Sequence, residues 1–365
     1  MVDSQVLNIL GKSVKAAVDT GLTSEDRAGL WPTVGEYPVY DTPWYQTLTS
    51  DHTRNERFRA ALQQLAPGRT VLDIGTGEHL NWARESLQCG ARHALAVEEI
   101  PSTFRRASGN MRAWALEQDI TLLQGRSSEV EISPKADVCV AEVIGSVAGA
   151  EGAAAVLADA RRRHLTSDGV VIPHRCATQA AAVSLRDALG RRPAAFSLAA
   201  LPYLSKIFES NGAPFDVRLR IHAPERNCVL STAHPIELLE FNGDLRTEQE
   251  NRVALRILRP GHVDGILTWL HIACLSHEEP IDTLRDATSW GTIYFPLFPE
   301  EVPVKPGDRM ELTVRTTLSD DGVHPDYYFA ATLYSAGNNQ SATHSSLHHG
   351  GPFRAHPLYQ TLFPQ

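Results

Sequence analysis

Between residues 70 and 172, short apolar runs alternate with stretches whose apolar positions recur every three to four residues. The runs at 70–74, 93–97, 121–124, 137–141 and 169–172 have strand length, and residues 80–87, 101–116 and 151–164 carry helical spacing between them. Strands separated by helices in this way predict a parallel sheet covered on both faces, an α/β Rossmann-like unit. After Pro173 the rhythm changes. Residues 176–183, 215–221, 236–239, 252–257, 265–275, 291–295, 309–316 and 327–334 read as strands broken by turns, with helical spacing only around 185–210. That pattern predicts an antiparallel β-barrel. Upstream, the spacing suggests helices over 5–18 and 45–65, with a loop rich in Gly, Pro and aromatics between them and Pro67-Gly68 as a stop. The polar stretch from 336 onward is expected to be loose. The expected organisation is a helical segment over 1–66, a Rossmann-like domain over 67–173, a β-barrel over 174–335 and a tail over 336–365.

A chain of 365 residues, 42% apolar and 21% charged, is long enough for two cores and ordinary for a globular protein. Its apolar runs are too short to span a bilayer, and Met-Val-Asp-Ser does not open a secretory leader. Five cysteines scattered singly point to a reducing, cytoplasmic compartment and away from a disulfide framework or structural zinc. A net charge of −9 argues against nucleic acid as a partner and is weakly permissive of a cationic one. His344, His348, His349 and His356 cluster in the tail at irregular spacing, so no metal site is expected from them.

Two constellations carry chemistry. The first strand runs into Asp-Ile-Gly-Thr-Gly at 73–77, placing glycines where the backbone must turn sharply and approach a ligand. His79 replaces a third glycine. Glu98, ending the second strand, has the position of an acid that holds a ribose diol. By itself this set also fits a dinucleotide-binding fold. The second constellation is Glu142 and Glu151, bracketing a glycine-bearing loop after the fourth strand, where open α/β sheets bind ligands. Paired carboxylates suit a forked, delocalised guanidinium. A purely structural reading has Glu151 favouring a helix start.

Residues 73–77, Glu98, Glu142, Glu151 and Thr288-Ser289-Trp290 together resemble the protein arginine methyltransferase family over about residues 37–334. The resemblance implies S-adenosylmethionine as cofactor, bound by Asp73, Gly75, Gly77 and Glu98, with Ser127 and Ser128 in the segment beside the adenine. It implies that Arg54 pairs with the methionine carboxylate and that Tyr37 and Tyr40 lid the cofactor. Glu142 and Glu151 would be catalytic, with Trp290, Ser289, Asp51 and Tyr45 on the acceptor side. Ser289 departs from the family's histidine, which pairs with an aspartate matching Asp51, so a His–Asp relay is in doubt. The stretch around 185–210 resembles a dimerisation arm and implies a homodimer. Segments 51–55, 151–152 and 172–175 look most like the monomethylating branch, here as a single module with a bacterial-looking, lysine-poor composition. The expected activity is methylation of an arginine guanidino nitrogen to N-omega-methylarginine, on free L-arginine or a small arginine-containing molecule in specialised metabolism. A peptide or protein acceptor, and a catalytically silent binding protein, are the alternatives; neither nucleic acid nor membrane is an expected partner.

Overall fold

The computed structural model describes residues 2–21, 29–34, 48–225, 227–335 and 338–365. Where spacing predicts a helix over 5–18, the chain forms a hairpin of β1 (Val2–Ile9) and β2 (Lys12–Asp19), with Ile9 opposite Lys12. Leu10 and Gly11 make the turn at φ 47° and 79°, as a two-residue hairpin requires. Leu7, Ile9, Val14, Ala16 and Val18 are buried with a period of two. Leu7, Leu10, Val14 and Val18 also satisfy a helical period, which is why spacing alone misassigns the segment. β3 (Gly29–Thr33) follows, and all three strands join the large sheet of the β domain instead of forming a helical cap.

Asp51 caps α1 (His52–Leu65) by accepting from the Arg54 backbone N–H. The alternating segment then folds as β4 (Thr70–Ile74), α2 (Asn81–Gln88), β5 (His93–Glu98), α3 (Pro101–Ala113), β6 (Ile120–Gln124), β7 (Ala136–Ala141), α4 (Ala153–Arg163) and β8 (Leu165–Ile172). These strands form one parallel sheet in the order β6-β5-β4-β7-β8. The order reverses beside β4, so the carboxyl ends of β4, β5 and β7 open a crevice where Gly75, Glu98 and Glu142 follow or end their strands.

β9 (Arg175–Val183) lies between the strands Gly265–Ala273 and His234–Glu240 in a ten-stranded sheet that also contains β1, β2 and β3. A second, four-stranded antiparallel sheet is made by Gln249–Arg256, Arg309–Leu318, Pro325–Ser335 and Asn338–Ser346. Ala182, Ile266 and Phe295 of the first pack with Leu312, Phe329 and Leu333 of the second, closing the β-barrel domain around one core. The tail is therefore not loose over its described length. Residues 338–346 pair along the edge of the second sheet, and a helix at Pro357–Leu362 buries Tyr359 and Leu362, followed by buried Phe363. An edge strand with one wet face tolerates a polar sequence, and composition alone cannot tell that from disorder.

The stretch after β9 carries short helical turns and a helix at Leu201–Asn211, whose Leu204, Ile207 and Phe208 are buried. They pack in a cluster with Phe196, Phe215 and Phe363. The five cysteines are free thiols, and among the described residues no helix is long and apolar enough to cross a membrane.

Candidate active site

The backbone N–H groups of Gly75 and Thr76 both donate to Val97 O, at 3.0 and 3.1 Å, so the turn after β4 is clamped against β5. Gly75 and Gly77 adopt φ of 74° and 68°, a region that costs other residues strain. Glu98 is buried. One of its oxygens accepts Gly77 N–H at 3.0 Å and the other Ile100 N–H at 2.9 Å, while burial raises its pKa. Asp73 is fully buried and braces the turn: Oδ2 accepts the Thr76 hydroxyl at 2.6 Å and Ala83 N–H at 2.9 Å. Burial pushes its pKa up to about 7, and its Oδ1 has no hydrogen-bond partner. Among the described residues a Cβ added to Gly75 would meet only Val143 Cγ1, at 3.8 Å, which leaves room for a ligand beside the turn. His79 has no left-handed backbone; Leu80 carries it instead at φ 51°, so replacing the third glycine strains nothing at that position. Ser127 is buried and its carbonyl holds Arg163 and His164, at 2.6 and 2.8 Å, whereas Ser128 is exposed. Tyr37, Tyr40 and Tyr45 lie outside the described residues.

Arg54 projects from the first turn of α1 and is 3% exposed. Its Nη1 donates to Glu142 Oε2 at 2.8 Å, and its Nη2 to Leu48 O at 2.6 Å and Asn55 Oδ1 at 3.1 Å. The cation lies 5.9 Å from the Trp82 ring centre and 6.0 Å from that of Trp290, at the outer limit of cation–π reach. Burial raises the Glu142 pKa to about 7, with Arg54 opposing the shift and Asp51 adding to it. Glu142 is thus largely neutral below pH 7 and carboxylate above it. At saturating cofactor, kcat/KM for a cationic acceptor should rise with pH through an inflection near 7 and fall about tenfold per unit below it. A flat profile between pH 5.5 and 8 would exclude a required Glu142 carboxylate that titrates near 7.

Asp51 uses its second oxygen to accept Ser289 N–H at 2.5 Å, fixing the 288–290 segment of the β domain to α1. The Ser289 hydroxyl is buried with no partner among the described residues, and the Ser289 carbonyl accepts from Arg220 at 2.9 Å. Asp51 therefore grips the backbone at this position and forms no side-chain pair with Ser289. Trp290 is buried, and its Nε1–H donates to Ile144 O at 2.9 Å.

That last bond is one of several stitching the 142–151 loop to the β domain. Ser146 Oγ accepts Gly291 N–H at 3.2 Å, Thr178 Oγ1 accepts Ala148 N–H at 2.9 Å, and Glu237 Oε2 accepts Gly149 N–H at 3.2 Å. Glu237 also accepts from the Thr178 and Tyr327 hydroxyls, at 2.8 and 3.1 Å. A Cβ on Gly149 would come within 2.6 Å of the Glu237 carboxylate, so a glycine is needed there. Half-buried Glu151 closes the loop just before α4, and a Cβ on Gly145 would lie 3.4 Å from its Cγ. Sequence reasoning missed Glu237. Its strand has a register shift between Pro235 and Glu237, which turns Ile236 and Glu237 inward in succession and breaks the alternation. Glu237→Ala leaves three donors unsatisfied and should cost about 2–4 kcal/mol of stability. It should also lower acceptor kcat/KM roughly 10- to 100-fold with cofactor affinity unchanged, as read by denaturant titration, steady-state kinetics and calorimetry.

The doubly wound sheet, the glycine turn and the acid ending β5 form a nucleoside-binding crevice, and the likeness to arginine methyltransferases makes S-adenosylmethionine its cofactor. No family model matches the chain. It is 26% identical over 289 residues to protein arginine N-methyltransferase 1 of Saccharomyces cerevisiae, covering 73% of this chain and 78% of that one. It is 25% identical over 288 residues to an arginine N(omega)-methyltransferase of Streptomyces achromogenes subsp. streptozoticus, covering 74% of each. Protein arginine N-methyltransferase 7 of Drosophila grimshawi is 30% identical over 245 residues, which is 62% of this chain and 35% of that longer one. Among solved structures, protein arginine methyltransferase 10 of Arabidopsis thaliana superposes with a TM-score of 0.67 at 16% identity, over 84% of this chain and 98% of that one. The chain is similar to arginine methyltransferases in sequence and shares their fold.

Proposed function

We propose that the protein methylates a guanidino nitrogen of free L-arginine, or of a small arginine-containing molecule, and stops at N-omega-methylarginine. One observation carries the guanidinium assignment: Glu142 already accepts a guanidinium N–H, that of Arg54, from within a largely buried site. The carboxylate geometry that holds Arg54 is the geometry an acceptor arginine needs. The fit to S-adenosylmethionine rests on the room beside Gly75 and on Glu98, whose two oxygens face backbone N–H groups at the crevice. Gly75, Gly77 and Glu98 would hold its nucleoside, and Arg54 its carboxylate. When bound, it supplies an electrophilic methyl group on sulfur.

The residues of the chain do the rest. Glu142 and Glu151 neutralise and orient the acceptor, polarising it toward the nitrogen that is to be alkylated, and Glu142, with a pKa near 7, can take up the departing proton. Ser289 cannot act as the base that a histidine would be. Methyl transfer is therefore mostly alignment and electrostatics. The small acceptor is supported by the likeness to the Streptomyces arginine N(omega)-methyltransferase. The monomethyl product is supported by segments 51–55, 151–152 and 172–175. Incubation with labelled cofactor and free arginine, an arginine peptide or a histone, followed by mass analysis, tests the reading. Free arginine should gain one methyl group; labelling of the peptide or histone alone would overturn the small-acceptor assignment.

The protein is expected to act as a homodimer, with the helical stretch at 185–211 at the contact. Light scattering at micromolar concentration should give twice the 40.1 kDa chain mass. A monomer mass throughout would exclude it.

A further inference from the structure

The tail histidines that looked scattered in sequence do not remain scattered in the fold. His348 folds back onto the turn at 319–324, between the strands Arg309–Leu318 and Pro325–Ser335. Its ring stacks on that of His324 at 4.0 Å between centroids and 7° between planes. His324 Nδ1 is 2.6 Å from Asp321 Oδ2, and His348 Nε2 is 3.7 Å from the same oxygen. The three donor atoms all lie within 4.8 Å of one another.

We propose that Asp321, His324 and His348 form a binding site for a divalent first-row transition-metal ion, zinc in the first instance. Two imidazoles and a carboxylate are a donor set for zinc and its neighbours, not for the hard cations calcium and magnesium. Metal–ligand bonds of about 2.0–2.2 Å require donors roughly 3–3.5 Å apart, so the three groups must close by little more than an ångström, and one imidazole must turn out of the stack because ring lone pairs lie in the ring plane. Three protein ligands leave a further position for water.

The surroundings hold the donors in place. Asp321 Oδ1 is occupied by the Ser319 hydroxyl and by the N–H groups of Val323 and His324, at 2.8, 2.8 and 2.9 Å, which leaves Oδ2 turned toward the histidines. Burial works against ionising Asp321, yet the hydrogen bonds from His324, Val323 and Ser319 hold its pKa well below the ordinary carboxylate range. The His348 backbone N–H is tied to Asp326 Oδ1 at 2.7 Å, and its side chain is 5% exposed. Second-shell bonds of this kind fix ligand orientation. The other tail histidines are committed elsewhere. His344 packs between Phe295 and Phe329, His349 bonds Asp320, and His356 caps the last helix.

The site backs onto the acceptor loop. A Cβ on Gly152, the residue after Glu151, would lie 2.6 Å from Val323 Cγ1 and 3.6 Å from His324 Cδ2. An ion holding His348 to the turn therefore pins the tail strand and the wall behind Glu151 together.

The test uses full-length, untagged protein stripped with a chelator and exchanged into metal-free buffer. Zinc titration by calorimetry should give one ion per chain, with Kd on the order of a micromolar or tighter at pH 7.5. Cobalt(II) should give the visible absorption of a protein-bound site, and zinc should raise Tm. Asp321→Asn keeps the turn's hydrogen bonds through Oδ1, and His348→Gln keeps a polar group of similar reach. Each should weaken zinc at least 30-fold and abolish the Tm increase while retaining the wild-type circular dichroism spectrum. Absence of saturable binding below about 100 µM, or wild-type affinity in both variants, would overturn the assignment.

Discussion

Glu142→Gln should lower kcat by about a thousandfold while leaving S-adenosylhomocysteine affinity within a few-fold of wild type. Glutamine keeps the size and an acceptor oxygen but removes the charge, and a cation in a largely buried pocket that loses its paired charge costs roughly 3–5 kcal/mol. Two effects compete in the free protein. Arg54 loses its ionic partner, which destabilises α1, but it keeps Leu48 O and Asn55 Oδ1, and it no longer has to be drawn from a carboxylate to serve another anion. The loss on the acceptor side therefore dominates. Kinetics and calorimetry on one preparation check this. A variant retaining a tenth or more of wild-type kcat would show that Glu142 only holds Arg54.

Gly75→Val should abolish cofactor binding, with affinity for S-adenosylhomocysteine falling at least a hundredfold. At φ 74° a β-branched side chain is strained by roughly 1–3 kcal/mol. Among the described residues the nearest atom to a new Cβ is Val143 Cγ1 at 3.8 Å, an ordinary van der Waals contact. The side chain would instead fill the space a ligand needs against the turn. Thermal unfolding should drop by only a few degrees, separating loss of binding from loss of fold. Calorimetry showing wild-type affinity would remove the turn from the cofactor site.

The parallel sheet was legible because both its faces are covered, so β4, β5 and β7 read as predominantly apolar runs with glycine or acid just past or at their ends. The barrel was legible as a change of rhythm. What stayed hidden shares one physical cause, which is that partners distant in sequence decide it. Arg54 and Glu142 are 88 residues apart, and Asp51 and Ser289 are 238. The polar strand Asn338–Ser346 is a strand only because Pro325–Ser335 pairs with it, and Glu237 faces inward only because its strand is bulged. The hairpin at 2–19 was missed differently: Gly11 signals its turn, but leucine and valine spacing there satisfies two periods at once.

That hairpin also sets a timetable for synthesis. β2 lies beside Phe196–Ser197, and β3 pairs Thr33 with Arg218 and Gly29 with His222. These strands thus lack their place in the sheet until residue 222 has been made. At about 5–20 residues per second, the gap between Thr33 and Arg218 is roughly ten to forty seconds. Through that interval β2 and β3 lack the strands that flank them in the finished sheet, while the sheet from Thr70 to Ile172 can complete itself from neighbours already in hand. The start of the chain is thus among the last parts to find its place, and its strands are the ones that a nascent chain would most need to shield.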